Sequence, residues 1–212
     1  MSTPGRPFLT APRFLPLVGA AVGAVGGAIY WLGAQLWPTS VAVVVSMLAT
    51  AWLSARVGGA TGTPSRDVGT PGDAVRTPVP ALGSLGIVFA VLLKYNALMA
   101  LSGASLPFPL PANVALGLIM IAGAAASRAL VVPMRPASHA DLGIAWVLGF
   151  APAALIGLPG LVGLAAAIAA RIALLAYLRR KPLSVAVPQL EFGQQLTEIC
   201  FYLGALAARA YI

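Results

Sequence analysis

The chain has 212 residues, 59% of them hydrophobic and 8% charged, with 13 Lys and Arg against 5 Asp and Glu and a formal net charge of +8. Soluble domains carry about 25% charged residues, so this composition excludes a water-soluble globular domain and leaves an integral membrane protein. The excess cations then speak of orientation in the bilayer rather than of nucleic acid, and one cysteine, Cys200, with one histidine, His139, excludes an internal disulfide and a Cys/His zinc cluster.

The expected fold class is all-α: a polytopic transmembrane helix bundle of about seven spans, with six as the alternative. It would form one domain over residues 1–212. The first span is read at 14–37. Arg6 and Arg13 precede it, and its apolar run exceeds the roughly 7–15 residues of a cleaved signal. A retained first helix is therefore expected. Gly19, Gly23 and Gly27 recur at four-residue spacing, which lets two membrane helices approach closely. The second span is read at 41–55. Residues 56–80, "RVGGATGTPSRDVGTPGDAVRTPVP", then lose every helical period and are read as a loop. Its "GGATGTPS" lacks the Lys of a phosphate-binding loop.

The third span is read at 81–101 and carries Lys94; Asn96, two residues on, is expected to bond a neighbouring helix. The fourth, at 112–132, carries Ser127 and Arg128. His139 falls in the loop before a fifth span at 142–157, and a sixth at 160–178 carries Arg171. The seventh, at 190–210, opens with "EFGQQLTEIC", which places Glu191, Gln194, Gln195 and Glu198 at i, i+3, i+4 and i+7. That spacing makes one polar face on an otherwise oily helix. Spans two and five are short for a bilayer core that takes about 20 helical residues.

Seven spans sort the loop charges. The N-terminus, 56–80, 133–141 and 179–189 hold Arg6, Arg13, Arg56, Arg66, Arg76, Arg135, Arg179, Arg180 and Lys181, whereas the opposite loops hold no Lys or Arg. The expectation is a cytoplasmic N-terminus and an external C-terminus. Four cations remain inside spans: Lys94, Arg128, Arg171 and Arg209. Arg209 lies near a helix end and is expected to snorkel to the headgroups. The others are costly unless paired or wetted, which makes them functional candidates. At 1.5 Å per residue, Arg128, Arg171 and Glu198 fall roughly 6–12 Å from the cytoplasmic ends of their spans, and Lys94 about 20 Å. Polar groups from several helices are thus expected to meet in a cavity open to the cytoplasm, the alternative being that they only pair and hold the bundle together.

At these residues the chain resembles the adenosylcobinamide-GDP ribazoletransferase (cobalamin-5′-phosphate synthase) family. The matching pieces are "FLPLVGAAVGAVGGAIYWL", "LLKYNALMAL", "SRAL" at 127–130 and "QQLTEICFYLGALA" at 194–207, in family order. The resemblance implies a multi-pass enzyme of the bacterial inner membrane, late in vitamin B12 assembly. It would join α-ribazole or its phosphate to adenosylcobinamide-GDP and release GMP, with Mg²⁺ as cofactor. Phosphoryl displacement is mostly positioning and charge neutralisation. On this implication Glu198, Arg128 and Lys94 are the catalytic candidates. Ser127, Gln194, Gln195, Glu191 and Arg171 are the substrate-binding candidates. Corrinoid and ribazole are the expected partners in the bilayer, and association with itself or with pathway proteins is left open.

The departures are local. The family's Asp-rich "DGLADxxDG" run, its "KDSRIGxxG" and its "GGYTGD" are missing; Asp67 and Asp73 are the remaining metal candidates in the altered loop. Two other readings stand beside the transferase: an inactive relative that binds corrinoid or scaffolds the pathway, and a small transporter, for which no internal repeat is evident.

Overall fold

The computed structural model describes residues 12–61, 81–103, 111–132, 138–179 and 187–209. Among them, a short 3₁₀ turn at Pro12–Phe14 leads into seven helices: α1 Leu15–Leu36, α2 Thr39–Thr61, α3 Ala81–Leu101, α4 Ala112–Ala129, α5 His139–Leu155, α6 Leu158–Arg179 and α7 Val187–Arg209. The all-helical expectation is borne out. Among the described residues, four helices contain apolar stretches long enough to cross a bilayer: Leu15–Leu36, Thr39–Arg56, Ala112–Ala129 and Leu158–Tyr177. Shorter apolar stretches run over Val88–Leu101 and His139–Leu155. The molecule is a multi-pass membrane protein.

The helix boundaries follow local chemistry. Trp37 is extended at φ −129°, ψ 159°, as a residue before proline prefers to be, and Pro38 offers its carbonyl to Val41 and Ala42 to start α2. The second span is not short. α2 runs to Thr61, six residues into the stretch 56–80 expected to be loop: Gly58 and Gly59 weaken a helix without ending it, and proline first appears at Pro64. His139 is the first residue of α5 rather than a loop residue, because Ser138 caps the helix. The Ser138 Oγ accepts from the Asp141 N–H at 3.1 Å, an N-cap, and donates to Asp141 Oδ2 at 2.7 Å. Arg13 adds an ion pair to Asp141 at 3.9 Å. Gly157, at φ 82°, turns α5 into α6; a side chain there would be strained.

Glycine sets the packing. A Cβ on Gly19 would lie 2.3 Å from the Ala124 carbonyl oxygen, and Cβ atoms on Gly23 and Gly27 would press equally into α4 at Ile121 and Gly117. The four-residue glycine pattern is thus the α1–α4 seam. Gly163 and Gly204 do the same between α6 and α7, where Cβ atoms would meet the Phe201 and Val162 carbonyl oxygens at 2.7 and 2.8 Å. The core lies around α4, with Leu116, Ile119, Met120, Phe201 and Tyr202 buried. α2 and α3 touch each other only sparingly. At the far end of α7, Arg209 donates from Nη1 to the Ala100 oxygen and from Nη2 to the Gly103 oxygen at 2.6 Å. It satisfies carbonyls at the end of α3, a more specific role than snorkelling.

Candidate functional site

The sparse α2–α3 packing leaves a cavity of about 410 Å³, walled by α1, α2, α3, α4 and α7. Its wall is mostly apolar, and its polar groups include three of the rare charged residues of the spans. Lys94 of α3, Arg128 of α4, and Gln195, Glu198 and Tyr202 of α7 all line it, together with Ser54 of α2.

The strongest contact is the ion pair between Lys94 Nζ and Glu198 Oε1 at 2.9 Å. The two side chains are 11% and 9% exposed. Tyr202, one turn further along α7, donates its hydroxyl to the same Oε1 at 2.8 Å. Its ring centroid lies 5.8 Å from Lys94 Nζ, within cation–π range. Gly123 makes this arrangement fit, since a Cβ there would sit 2.6 Å from the Tyr202 ring. Glu198 is therefore held on two sides. Arg128 donates from Nη2 to Ser54 Oγ at 3.0 Å. Among the described residues its hydrogen-bond partner is thus neutral, although Glu198 lies near enough to act on it through space. Among the described residues, two cations against one carboxylate leave the cavity with one positive charge to spare.

The remaining candidates are less uniform. Gln195 lines the cavity and Gln194 is half-buried. Ser127 is fully buried and donates to its own helix at the Ala124 oxygen, 3.1 Å away. Arg171 stands apart from the cavity. It is 4% exposed, packs across α7 where a Gly193 Cβ would lie 2.9 Å from its Nη1, and among the described residues its three guanidinium nitrogens have no hydrogen-bond partner. Arg171 does not join Arg128 and Glu198 in lining the cavity, because depth along an axis says nothing about which face of α6 the guanidinium occupies. Glu191 sits in the second turn of α7, with its side chain outside the described set; Asp67 and Asp73 also lie outside the described residues. Among the described residues, Asn96 donates to the Leu92 oxygen of its own helix at 2.8 Å rather than to a neighbouring helix.

Two members of the site were missed in the sequence. Tyr202 continues the polar stripe of α7 at i+4 from Glu198. Ser54 ends a stripe on α2 with Ser46 and Thr50, also at four-residue steps. Ser46 donates to the Gly26 oxygen at 2.8 Å.

Mg²⁺ takes oxygen ligands, usually one or two carboxylates with waters and substrate phosphates. Among the described residues no group of three or more His, Cys, Asp and Glu comes together. The one carboxylate in the cavity is engaged by an ammonium and a phenol. The described donors do not fit a magnesium site.

Comparison with known proteins bears out the resemblance read from the sequence. A 42-residue stretch is 60% identical to the adenosylcobinamide-GDP ribazoletransferase of Leptothrix cholodnii, covering 20% of this chain and 16% of that protein. Proteins of the same name from Ralstonia pickettii and Ralstonia nicotianae are 36% and 35% identical over 131 residues, covering 58% of this chain and 48% of each relative. The chain spans about half the length of these two relatives. No protein-family profile and no solved structure matches it.

Proposed function

We propose that this chain is a membrane transferase of late cobalamin biosynthesis. It would join adenosylcobinamide-GDP to α-ribazole or its phosphate and release GMP. It would lie in the bacterial inner membrane with its N-terminus in the cytoplasm, as the one-sided loop cations favour. The observation that carries the reading is the cavity holding Lys94 and Arg128 with a net positive charge. These are the positions at which the sequence resembles the family.

The reaction asks mainly for charge neutralisation and alignment. The attacking ribazole hydroxyl forms a new P–O bond, the P–O bond to GMP breaks, and the hydroxyl proton is released to solvent. Arg128, braced by Ser54, offers its unused guanidinium edge to phosphate oxygens. Lys94 supplies a point charge whose position is fixed by Glu198 and Tyr202. In this reading Glu198 is a positioning residue, acting through Lys94. Gln195 would orient a polar edge of either substrate.

A second reading is an inactive relative that binds corrinoid without turning it over. The described donor set that does not fit magnesium favours it. One assay separates the two: the purified full chain with adenosylcobinamide-GDP, α-ribazole and Mg²⁺, followed by GMP release. Turnover supports the transferase; corrinoid binding without GMP supports the inactive relative; neither binding nor GMP removes both.

A further inference from the structure

The cavity is not closed toward the lipid. Val44 and Leu48 of α2 and Val91 and Leu92 of α3 line it, yet they are 43%, 65%, 52% and 49% exposed. A residue that lines a cavity and is also half-exposed marks the cavity's mouth. Val44 and Leu48 lie within an apolar span and Val91 and Leu92 within the apolar stretch Val88–Leu101, so a mouth at this height faces hydrocarbon rather than water. On α2 the lining positions Val44, Met47, Leu48, Thr50, Ala51 and Ser54 span eleven residues, about 15 Å of helix. The lining face is apolar through Val44, Met47 and Leu48, carries the Thr50 hydroxyl turned back onto the Met47 oxygen, and ends at Ser54, where it meets Arg128. Arg128 lies in the last turn of α4, near the depth of a headgroup. Its charge has only a neutral hydrogen-bond partner among the described residues, while the neighbouring Lys94–Glu198 pair is neutral as a unit. A cation in such a place favours an anion.

We propose that the gap between α2 and α3 is a lateral portal occupied by one anionic phospholipid. Its phosphate sits on Arg128 and an acyl chain lies along the Val44–Met47–Leu48 face of α2. The volume, about 410 Å³, lies within the ~300–1,000 Å³ of small-molecule sites and holds part of one lipid, not several. A water-soluble phosphate ester explains Arg128 but not the long apolar face open to the membrane; the lipid explains both. The inference shares Arg128 with the transferase reading and does not depend on it. Where both hold, the lipid is the resident that an incoming substrate phosphate displaces.

The test uses the full chain in nanodiscs of equal phosphatidylglycerol and phosphatidylcholine, released into the gas phase for native mass spectrometry with no corrinoid present. The expected result is one retained phosphatidylglycerol per chain, preferred at least about fivefold over phosphatidylcholine, as one well-placed arginine is worth. Arg128→Gln should abolish the preference. Leu48→Trp, which narrows the mouth from the lipid side, should lower retention of both lipids; Val91→Trp is the parallel variant on α3 if Leu48→Trp is not monodisperse. No preference in the unaltered chain overturns the proposal. A preference that survives Arg128→Gln and both tryptophans also overturns it, since that lipid belongs to the annulus. Retention of added inorganic phosphate by a chain that retains no phosphatidylglycerol overturns it in favour of a free-phosphate site. GMP release, measured in parallel, can fail with lipid retention intact, or persist without it, so the two readings fall separately.

Discussion

Neutralising one half of the Lys94–Glu198 pair should do more harm than neutralising both. Lys94→Met keeps the length of the side chain and removes the ammonium. Glu198 would then stay in the bundle interior with the Tyr202 hydroxyl as its remaining close donor. The pair's side chains are only 11% and 9% exposed. Breaking a buried pair from one side costs about 3–5 kcal/mol, mostly from the charge left behind. Glu198→Gln strands Lys94 instead and should cost about the same. If the two sites were independent, the double variant would lose about 6–10 kcal/mol. If they are one unit, it leaves a neutral amide beside Tyr202 and a well-packed Met, and lies within about 2 kcal/mol of the unaltered chain. The difference between these outcomes, at least about 4 kcal/mol, is far larger than experimental error. Unfolding in mixed micelles of increasing dodecyl sulfate fraction, followed by helical circular dichroism, measures all four proteins. A double variant as unstable as the sum of the singles would refute the pairing.

Three other expectations follow from the same contacts. Arg171→Leu removes a buried guanidinium whose nitrogens have no hydrogen-bond partner among the described residues and should leave stability unchanged or raise it by about 1–4 kcal/mol; a marked loss in the same assay would mean that Arg171 is satisfied by something else. Gly19→Val should separate α1 from α4, since even a Cβ would sit 2.3 Å from the Ala124 oxygen, and should destabilise by more than the ~1–3 kcal/mol usual for overpacking; a wild-type melting curve would contradict that seam. Tyr202→Phe removes one of two donors to Glu198 and should cost about 1.5–3 kcal/mol, typical of a hydrogen bond to a charged group, read by the same unfolding curve. No loss would mean that Lys94 alone holds the carboxylate.

The helices were legible because an oily chain interrupted by glycine, proline and charge has few other ways to fold in lipid. Their ends were less so. Gly58 and Gly59 looked like a break, yet backbone hydrogen bonds carry α2 past them to Thr61. The rare charges pointed to the cavity, because a Lys, Arg or Glu inside a span must have a partner or water. Which charge meets which was not readable. Axial depth set Lys94 about 8 Å below Glu198, yet they are bonded at 2.9 Å. α7 begins at Val187 rather than residue 190, which carries Glu198 deeper, and a lysine side chain reaches several ångströms along its helix. Arg171 fails in the opposite way: its depth was suitable, but its side chain lies against Gly193 rather than toward the cavity. Tyr202 and Ser54 carry no charge, so nothing in an apolar count raised them, although both sit on four-residue polar stripes.

The central claim is that the cations of this cavity receive a phosphate-bearing corrinoid. Equilibrium dialysis of adenosylcobinamide-GDP, followed by corrinoid absorbance, tests it without requiring turnover. The unaltered chain should bind, and Arg128→Gln should bind at least about tenfold more weakly, the loss expected for one charge-assisted hydrogen bond. Equal affinity in the two proteins would contradict the account.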